Sequence, residues 1–106
     1  MIAARRGKTS EAEAYYREAA EAGLPDAAWN LACVLRDRDR ADPEWEQWCR
    51  TAAELGDVTA AAQLGTLLVQ RGELVEGRQW LLTAAGLGDE TAVRNLEILD
   101  RFIRNR

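Results

Sequence analysis

A short alanine–glycine segment occurs three times in the chain. It reads Ala19-Ala20-Glu21-Ala22-Gly23, then Ala52-Ala53-Glu54-Leu55-Gly56, then Ala84-Ala85-Gly86-Leu87-Gly88, and its last glycines are 33 and 32 residues apart. Self-similarity at a period of this length is typical of repeat proteins. We therefore predict an array of repeated units, which offers an extended surface rather than an enclosed catalytic pocket.

The repeat extends beyond the glycine segment. Eight positions before the glycines stand Tyr15, Trp48 and Trp80, and eight positions after them stand Leu31, Leu64 and Leu96. Alanines occupy the positions four before and four after each glycine. Residues four apart share one face of a helix. Each glycine therefore separates two predicted amphipathic helices, in the left-handed conformation that ends the first of them.

The pattern predicts six helices and no strands. Their expected ranges are residues 10–22, 26–38, 43–55, 58–70, 74–86 and 90–104. Pro25 and Asp42-Pro43-Glu44 are helix-start signals, Ser10 and Glu13 fit a capping box, and Asp57 and Asp89 can cap the helices that follow them.

Large and small residues alternate along the predicted helices. Ala32 and Gly65 are predicted to let neighbouring helices approach closely, while Trp48 and Trp80 fill the space between helices. In the last helix, Glu97 stands where the earlier repeats have these small residues, and Asp100 where they have leucine. We therefore expect this helix to present a polar face and to cap the array.

The start of the chain also matches a part of the repeat. Arg6-Gly7-Lys8 aligns with Arg71-Gly72-Glu73, each sixteen residues before a repeat glycine. Residues 1–9 are therefore interpreted as the tail of a helix from a truncated upstream repeat, and residues 10–106 as the repeat array. A frayed terminus is the alternative.

The stretch from Trp48 to Gly65 resembles the Sel1-like repeat, a close relative of the tetratricopeptide repeat. The resemblance implies an all-α fold, a right-handed superhelical stack of antiparallel helix pairs with about three repeats. The chain lacks the Gly-x-Gly-Val stretch that Sel1-like repeats usually carry between hairpins, and this difference leaves the superhelical pitch open.

The chain lacks the residues that several classes of function need. The chain has no histidine, which removes the commonest general base and metal ligand. Cys33 and Cys49 are sixteen residues apart without a Cys-x-x-Cys pair, so we predict buried or half-buried thiols rather than a zinc site. No catalytic residue, cofactor site or metal site is predicted, and the protein is not expected to be an enzyme.

Charge and hydropathy restrict the possible binding partners and the cellular location. The net charge is −4, and arginines alternate with aspartates over residues 36–40, so no basic stripe suggests nucleic-acid binding. No apolar run is long enough to span a membrane. Without an apparent secretory signal we expect a cytoplasmic protein; a periplasmic or secreted one stays open if upstream sequence is missing. Abundant alanine and arginine with one lysine indicate a bacterial source.

The resemblance also implies where a partner would bind. In tetratricopeptide arrays the first helix of each hairpin lines a concave groove. Carried over to this chain, the candidate residues are Asp26, Trp29, Cys33, Arg36, Thr59, Thr66, Val69, Arg94, Ile98 and Arg101. Trp29 is the most suggestive, because Ala62 and Arg94 occupy the equivalent positions. The alternative is that Trp29 packs against the first helix and that the arginines pair with nearby carboxylates.

The sequence is compatible with two functions. The first is a non-enzymatic protein–protein interaction module that binds a peptide or protein segment in a concave groove. The second is a structural or homo-oligomerising array without a dedicated groove, which associates through its N-terminal edge.

Overall fold

The computed structural model describes residues 2–105, with side chains described from Ser10 to Asn105. Within this range it contains α-helices and no strand, which confirms the predicted all-α repeat fold. The helices are α1 (Ile2–Glu21), α2 (Pro25–Arg38), α3 (Glu44–Glu54), α4 (Val58–Gln70), α5 (Leu74–Gly86) and α6 (Glu90–Arg104). The last five agree with their predicted ranges to within one residue.

The first helix is longer than predicted. It begins at Ile2 and continues through Gly7, a residue that a helix interior accepts at a cost of about 1 kcal/mol. Ser10 consequently lies inside α1, so the predicted capping box and the predicted start near residue 10 are wrong. The side chains of residues 1–9, interpreted above as the tail of a truncated repeat, lie outside the described residues.

The repeated glycines form one type of helix-ending turn. Gly23, Gly56 and Gly88 have φ angles of 91°, 101° and 96°, as predicted. At Gly56, the N–H of Asp57 donates to the carbonyl of Ala52 at 2.9 Å, and the N–H of Gly56 donates to Ala53 at 3.0 Å. The other two turns have the same pair of bonds. The repeated Ala-Ala pair therefore supplies the carbonyls that close each helix.

The starts of α2, α3 and α6 follow the predicted signals. Pro25 is the first residue of α2, where its missing N–H removes no helical hydrogen bond. The Asp89 carboxylate accepts a hydrogen bond from the N–H of Ala92 at 2.8 Å, and so caps α6. The Asp42 carboxylate accepts from the N–H of Glu44 at 2.9 Å, just before α3 begins.

The chain divides into two compact units, residues 1–57 and 58–106. In the first unit, α2 packs against both α1 and α3. In the second unit, α5 packs against α4 and α6, and α4 also contacts α6. Each unit therefore has a central helix with a neighbour on either side.

Leucines and alanines form the interiors. The predicted stripe four, eight and twelve positions after the glycine is buried in α2 and α4, where Leu31 and Leu64 are completely inaccessible. In α3 and α5 the position seven residues before the glycine is buried, at Cys49 and Leu81, and the buried stripe continues along the alanines. These positions are three or four apart and so share one face.

The predicted burial of Trp48 and Trp80 is wrong, because both side chains are half-buried. They lie one residue before Cys49 and Leu81, which turns them by about 100° from the buried stripe. Each indole therefore lies at the border of its helix interface. The Trp48 Nε1–H donates to a Glu44 carboxylate oxygen at 3.3 Å, as expected for an aromatic with a polar edge.

Helices α4 and α5 approach each other closely at two glycines. A Cβ atom added to Gly65 would lie 2.9 Å from Leu81 Cγ and 3.0 Å from the carbonyl oxygen of Gly77. One added to Gly77 would lie 2.8 Å from Val69 Cγ2 and 2.9 Å from the Gly65 oxygen. The predicted close approach at Gly65 is therefore confirmed, and Gly77, which the sequence analysis did not single out, is its counterpart.

Candidate functional site

A groove between α4 and α6 forms a largely apolar concavity of the second unit. It encloses about 370 Å³. Helix α4 contributes one wall, α6 the other, and α5 places Leu81 between them. The lining residues are Thr66, Val69, Gln70, Leu81, Asn95, Ile98, Leu99 and Phe102. We call this concavity the α4/α6 groove.

Two large apolar side chains stand at the mouth of the α4/α6 groove. Ile98 is 61% exposed and Phe102 is 57% exposed. They are one helical turn apart and therefore form a continuous ridge along α6. Leu99, beside them, is almost completely buried. The apolar interior of the second unit thus continues outward to solvent at the groove, a feature that marks many interaction surfaces.

Hydrogen bonds join the two walls of the groove. The side-chain amide of Asn95 donates to the hydroxyl oxygen of Thr66 at 3.1 Å. The Thr66 hydroxyl in turn donates to the carbonyl of Ala62 at 3.0 Å, within α4. This chain of donors fixes the Thr66 hydroxyl and links α6 to α4, so the groove has a defined shape.

The charges around the groove lie on one side. Helix α4 contains no charged residue. Helix α6 carries Arg94 four residues before Ile98 and Arg101 three residues after it, and both arginines are exposed. Neither forms an ion pair with any residue that the structure describes. The α6 rim of the groove therefore carries two arginines, with the exposed Glu97 between them in sequence.

A second concavity lies between α5 and α6 and has a different character. Arg78 of α5 makes two hydrogen bonds to the Asp100 carboxylate, Nε to Oδ1 at 2.8 Å and Nη2 to Oδ2 at 3.3 Å. These bonds lower the pKa of Asp100 and raise the pKa of Arg78. Glu97, Arg101, Ile103 and Arg104 complete the lining. The polar face predicted for the last helix is present here, with Asp100 paired to α5.

The candidate residues of the first unit lie along α2. The Arg36 guanidinium lies 5.9 Å from the centre of the half-buried Trp29 ring, a cation–π contact. Its Nε is also 3.8 Å from an Asp37 carboxylate oxygen. The Arg36–Asp37 contact agrees with the alternative interpretation, in which the arginines pair with nearby carboxylates. Asp26 lines a separate concavity with Tyr15, Tyr16 and Leu24.

The two cysteines behave as the sequence predicts. Cys33 is half-buried, Cys49 is buried, and they are not joined by a disulfide. Burial raises the pKa of Cys33 and raises that of Cys49 to about 12. Both groups are therefore protonated thiols at neutral pH and are poor nucleophiles.

The structure brings together three of the ten candidate residues. Thr66, Val69 and Ile98 line the α4/α6 groove. Thr59 and Arg94 are exposed outside its lining, and Arg101 lines the concavity between α5 and α6. The remaining four belong to α2.

Five groove residues escaped the sequence analysis, namely Gln70, Leu81, Asn95, Leu99 and Phe102. Phe102 could have been found, because it follows Ile98 by one helical turn on an otherwise polar face. Leu81 could not, because it comes from the neighbouring helix and its repeat position is a core position.

Between Ser10 and Asn105, no group of three or more metal-ligating side chains comes together. In the same range, every buried side-chain nitrogen or oxygen has a hydrogen-bond partner. None of the helices in the described part of the chain combines the length and hydropathy that crossing a membrane requires.

Comparison with known proteins identifies one solved relative of the fold. The chain is similar to the crystal structure of a Sel1 repeat protein from Oxalobacter formigenes, with 29% sequence identity and a TM-score of 0.65. The match covers 79% of this chain and 37% of the other, so the chain spans little more than a third of that protein. No protein-family model matches the sequence, and no curated protein matches it.

Proposed function

The chain has the Sel1-like repeat fold, and from this premise we propose that it is a non-enzymatic protein-interaction module. Its binding surface is the α4/α6 groove, and its ligand is a peptide or protein segment with a bulky apolar side chain. The groove lies between two helices that follow repeat glycines, which is the side that the resemblance to tetratricopeptide arrays assigns to ligands.

The exposure of Ile98 and Phe102 is the observation that supports this proposal most directly. The equivalent side chains in α4 are Thr66 and Gln70, so the repeat pattern does not require large apolar residues at these positions. Burying such side chains in a complex removes apolar area from water, which contributes about 25 cal/mol per Å². A partner would therefore gain most of its binding energy at this ridge.

Polar groups at the groove suit a peptide main chain. The Asn95 amide nitrogen already donates to Thr66, but its carbonyl oxygen can still accept a hydrogen bond. Gln70, exposed on the opposite wall, offers both a donor and acceptors. Paired with the apolar ridge, these groups favour recognition of a segment by its backbone as well as by its side chains.

The proposal is tested by selecting peptides from a displayed random library with the wild-type protein. Binding of the selected peptides is then measured by fluorescence anisotropy with three variants. Ile98→Asp and Phe102→Asp should each weaken binding at least tenfold, because they place a charge on the ridge. Val75→Asp changes a residue of the same unit that is 77% exposed outside the groove, and should leave binding unchanged.

Two results would contradict the proposal. The first is a selection that yields no binder, and the second is a set of binders that Val75→Asp weakens as much as Ile98→Asp does. Circular dichroism of each variant checks that the helices are retained.

A structural or homo-oligomerising array is the second candidate function. It is favoured by apolar exposure in the first unit, where Tyr15 is 69% and Leu24 is 54% exposed. Both residues lie near the turn between α1 and α2, so the first unit has its own surface for a partner. The outermost side chains of the predicted N-terminal edge lie outside the described residues.

A further inference from the structure

We propose that the α4/α6 groove of one copy receives helix α1 of a second copy, with Tyr15 in contact with the apolar ridge. The inference rests on the proposed function, because it names the partner of the same groove. Its basis is a match in spacing, charge and exposure between two faces of this one chain.

The first of these faces is on α1. Tyr15 is 69% exposed and stands between two exposed carboxylates, Glu11 four residues before it and Glu18 three residues after it. Residues with this i, i+4, i+7 spacing form one stripe along a helix. Neither carboxylate forms an ion pair with a described residue. The face therefore presents an aromatic side chain between two carboxylates.

The second face is on α6, at the rim of the groove. Ile98 is 61% exposed, Arg94 stands four residues before it, and Arg101 stands three residues after it. The order and spacing are those of the α1 face, with arginines in place of glutamates. In both helices the two charges are seven residues apart, which corresponds to about 10.5 Å along the axis.

An antiparallel arrangement satisfies both pairs of charges at once. When two helices pack face to face and run in opposite directions, the corresponding edges of their contact faces lie next to each other. The N-terminal end of one edge then meets the C-terminal end of the other. Glu11 then lies beside Arg101, and Glu18 lies beside Arg94. Tyr15 falls between the two pairs, next to Ile98, where it can enter the groove. Arginine and carboxylate in this geometry can form paired hydrogen bonds.

Two other charged residues of α1, Glu13 and Arg17, are engaged within the first unit. Arg17 bonds to Glu44 at 2.7 Å and to Glu13 at 3.3 Å, and Glu13 also pairs with Arg38. These residues lie on the side of α1 that faces α2 and α3. Since α4 is uncharged, the groove offers Glu11 and Glu18 no repulsive carboxylate on that wall.

The charge complementarity is local to the two faces. Helix α1 as a whole contains four acidic and four basic residues, and the net charge of −4 lies in residues 22–57. A contact that sets Glu11 and Glu18 beside Arg94 and Arg101 joins unlike charges, whereas a contact between two copies of the α1 face sets these glutamates against each other.

Self-association is measured as weight-average mass by sedimentation equilibrium over roughly 10 μM to 1 mM, the range of weak protein contacts. The wild-type mass should rise above that of the monomer with concentration. Raising NaCl to about 0.5 M should reduce this rise, because salt screens exposed charges. The double variants Arg94→Glu/Arg101→Glu and Glu11→Arg/Glu18→Arg should each stay monomeric.

An equal mixture of the two double variants provides the decisive result. Each variant keeps one wild-type face, so the mixture should associate although neither component does alone. The matched control is Arg40→Glu/Arg104→Glu, which makes the same change in charge at exposed residues outside both faces and should associate like the wild type.

A wild-type mass that stays monomeric throughout would overturn the inference, as would a mixture that fails to associate. These outcomes are distinct from failure of the proposed function. If the copies do not associate but selected peptides bind in an Ile98-dependent way, the groove serves another protein and only the second-copy partner is wrong.

Discussion

In the second unit, α4 and α5 touch backbone to backbone at Gly65 and Gly77, whereas the matching positions of α2 and α3 hold Ala32 and Trp45. A single added carbon would collide at Gly77, yet α3 carries a half-buried indole at the same repeat position. The Trp45 Nε1–H donates to the carbonyl of Arg40 at 2.9 Å. The two helix pairs therefore cannot pack in the same way, although their sequences share one pattern.

The polar contacts of the two units differ as well. In the first unit, Glu13, Arg17, Arg38 and Glu44 form a connected set of ion pairs that joins α1, α2 and α3. In the second unit, the pair of Arg78 with Asp100 links α5 to α6. A repeat pattern can specify the turns and the buried stripe while leaving the rest of the interface to vary.

The largest expected effect concerns the core position seven residues before the glycine. Leu81 occupies it in the second unit and Cys49 in the first, and both are buried. Leu81→Ala should lower the free energy of unfolding by about 2–5 kcal/mol, because it leaves a cavity in a close-packed interior. Cys49→Ala removes one atom and should cost about 1 kcal/mol. Urea unfolding followed by circular dichroism measures both, and equal losses would contradict the comparison.

A smaller effect is expected at the helix crossing. Gly77→Ala should destabilise the protein by about 1–3 kcal/mol, because the new Cβ would meet backbone atoms that cannot move independently. Gly86→Ala is the matched control in the same helix. No atom lies within 4 Å of its added Cβ, so the gain in helix propensity should stabilise by up to about 1 kcal/mol. Thermal unfolding of the two variants should therefore shift in opposite directions; a shift in the same direction would argue against the close crossing.

The smallest effect concerns pH. A hydrogen bond from Arg17 lowers the pKa of Glu44 below its ordinary value of 4.5, and Arg78 lowers the pKa of Asp100 below 3.8. A carboxylate with a depressed pKa stabilises the folded state above its unfolded pKa, and this contribution is lost as pH falls through the folded value. Both groups are partly exposed, so solvent screening keeps the effect small.

Glu44→Gln and Asp100→Asn should each remove part of the fall in melting temperature below about pH 4.5. Measurements on the wild type and both variants between pH 7 and pH 3 test this expectation. A melting curve whose pH dependence is unchanged in Glu44→Gln would show that the Arg17 contact contributes nothing to stability in solution.

Most of the fold was accessible from the sequence, because the glycine turns are local. A residue with positive φ ends a helix when its own N–H and the N–H of the next residue donate hydrogen bonds to carbonyls of the preceding turn. These interactions are local, so Gly23, Gly56 and Gly88 located the turns correctly. The start of α1 was predicted wrongly for a related reason. Ser10 and Glu13 satisfy a local rule for a cap, but the helix continues through them in both directions.

The site was less accessible, since a groove is made by helices that are distant in sequence. Thr66, Val69 and Ile98 of the predicted columns line the α4/α6 groove, whereas Leu81, which the columns do not include, reaches it from α5. They also placed Trp48 and Trp80 in the interior, where Cys49 and Leu81 lie instead. A difference of one residue turns a helical side chain by about 100°, and only packing decides which of two adjacent large residues faces inward.

Over residues 2–105, the sequence by itself determined the helices, their order and their turns apart from the start of α1, because each depends on residues within a few positions of one another. The tertiary structure alone decided which faces meet. It showed that Gly65 meets Gly77, that Arg78 meets Asp100, and that Ile98 and Phe102 stay exposed beside a groove. Local backbone preferences are encoded residue by residue, whereas contacts between helices depend on the shapes and charges of both partners at once.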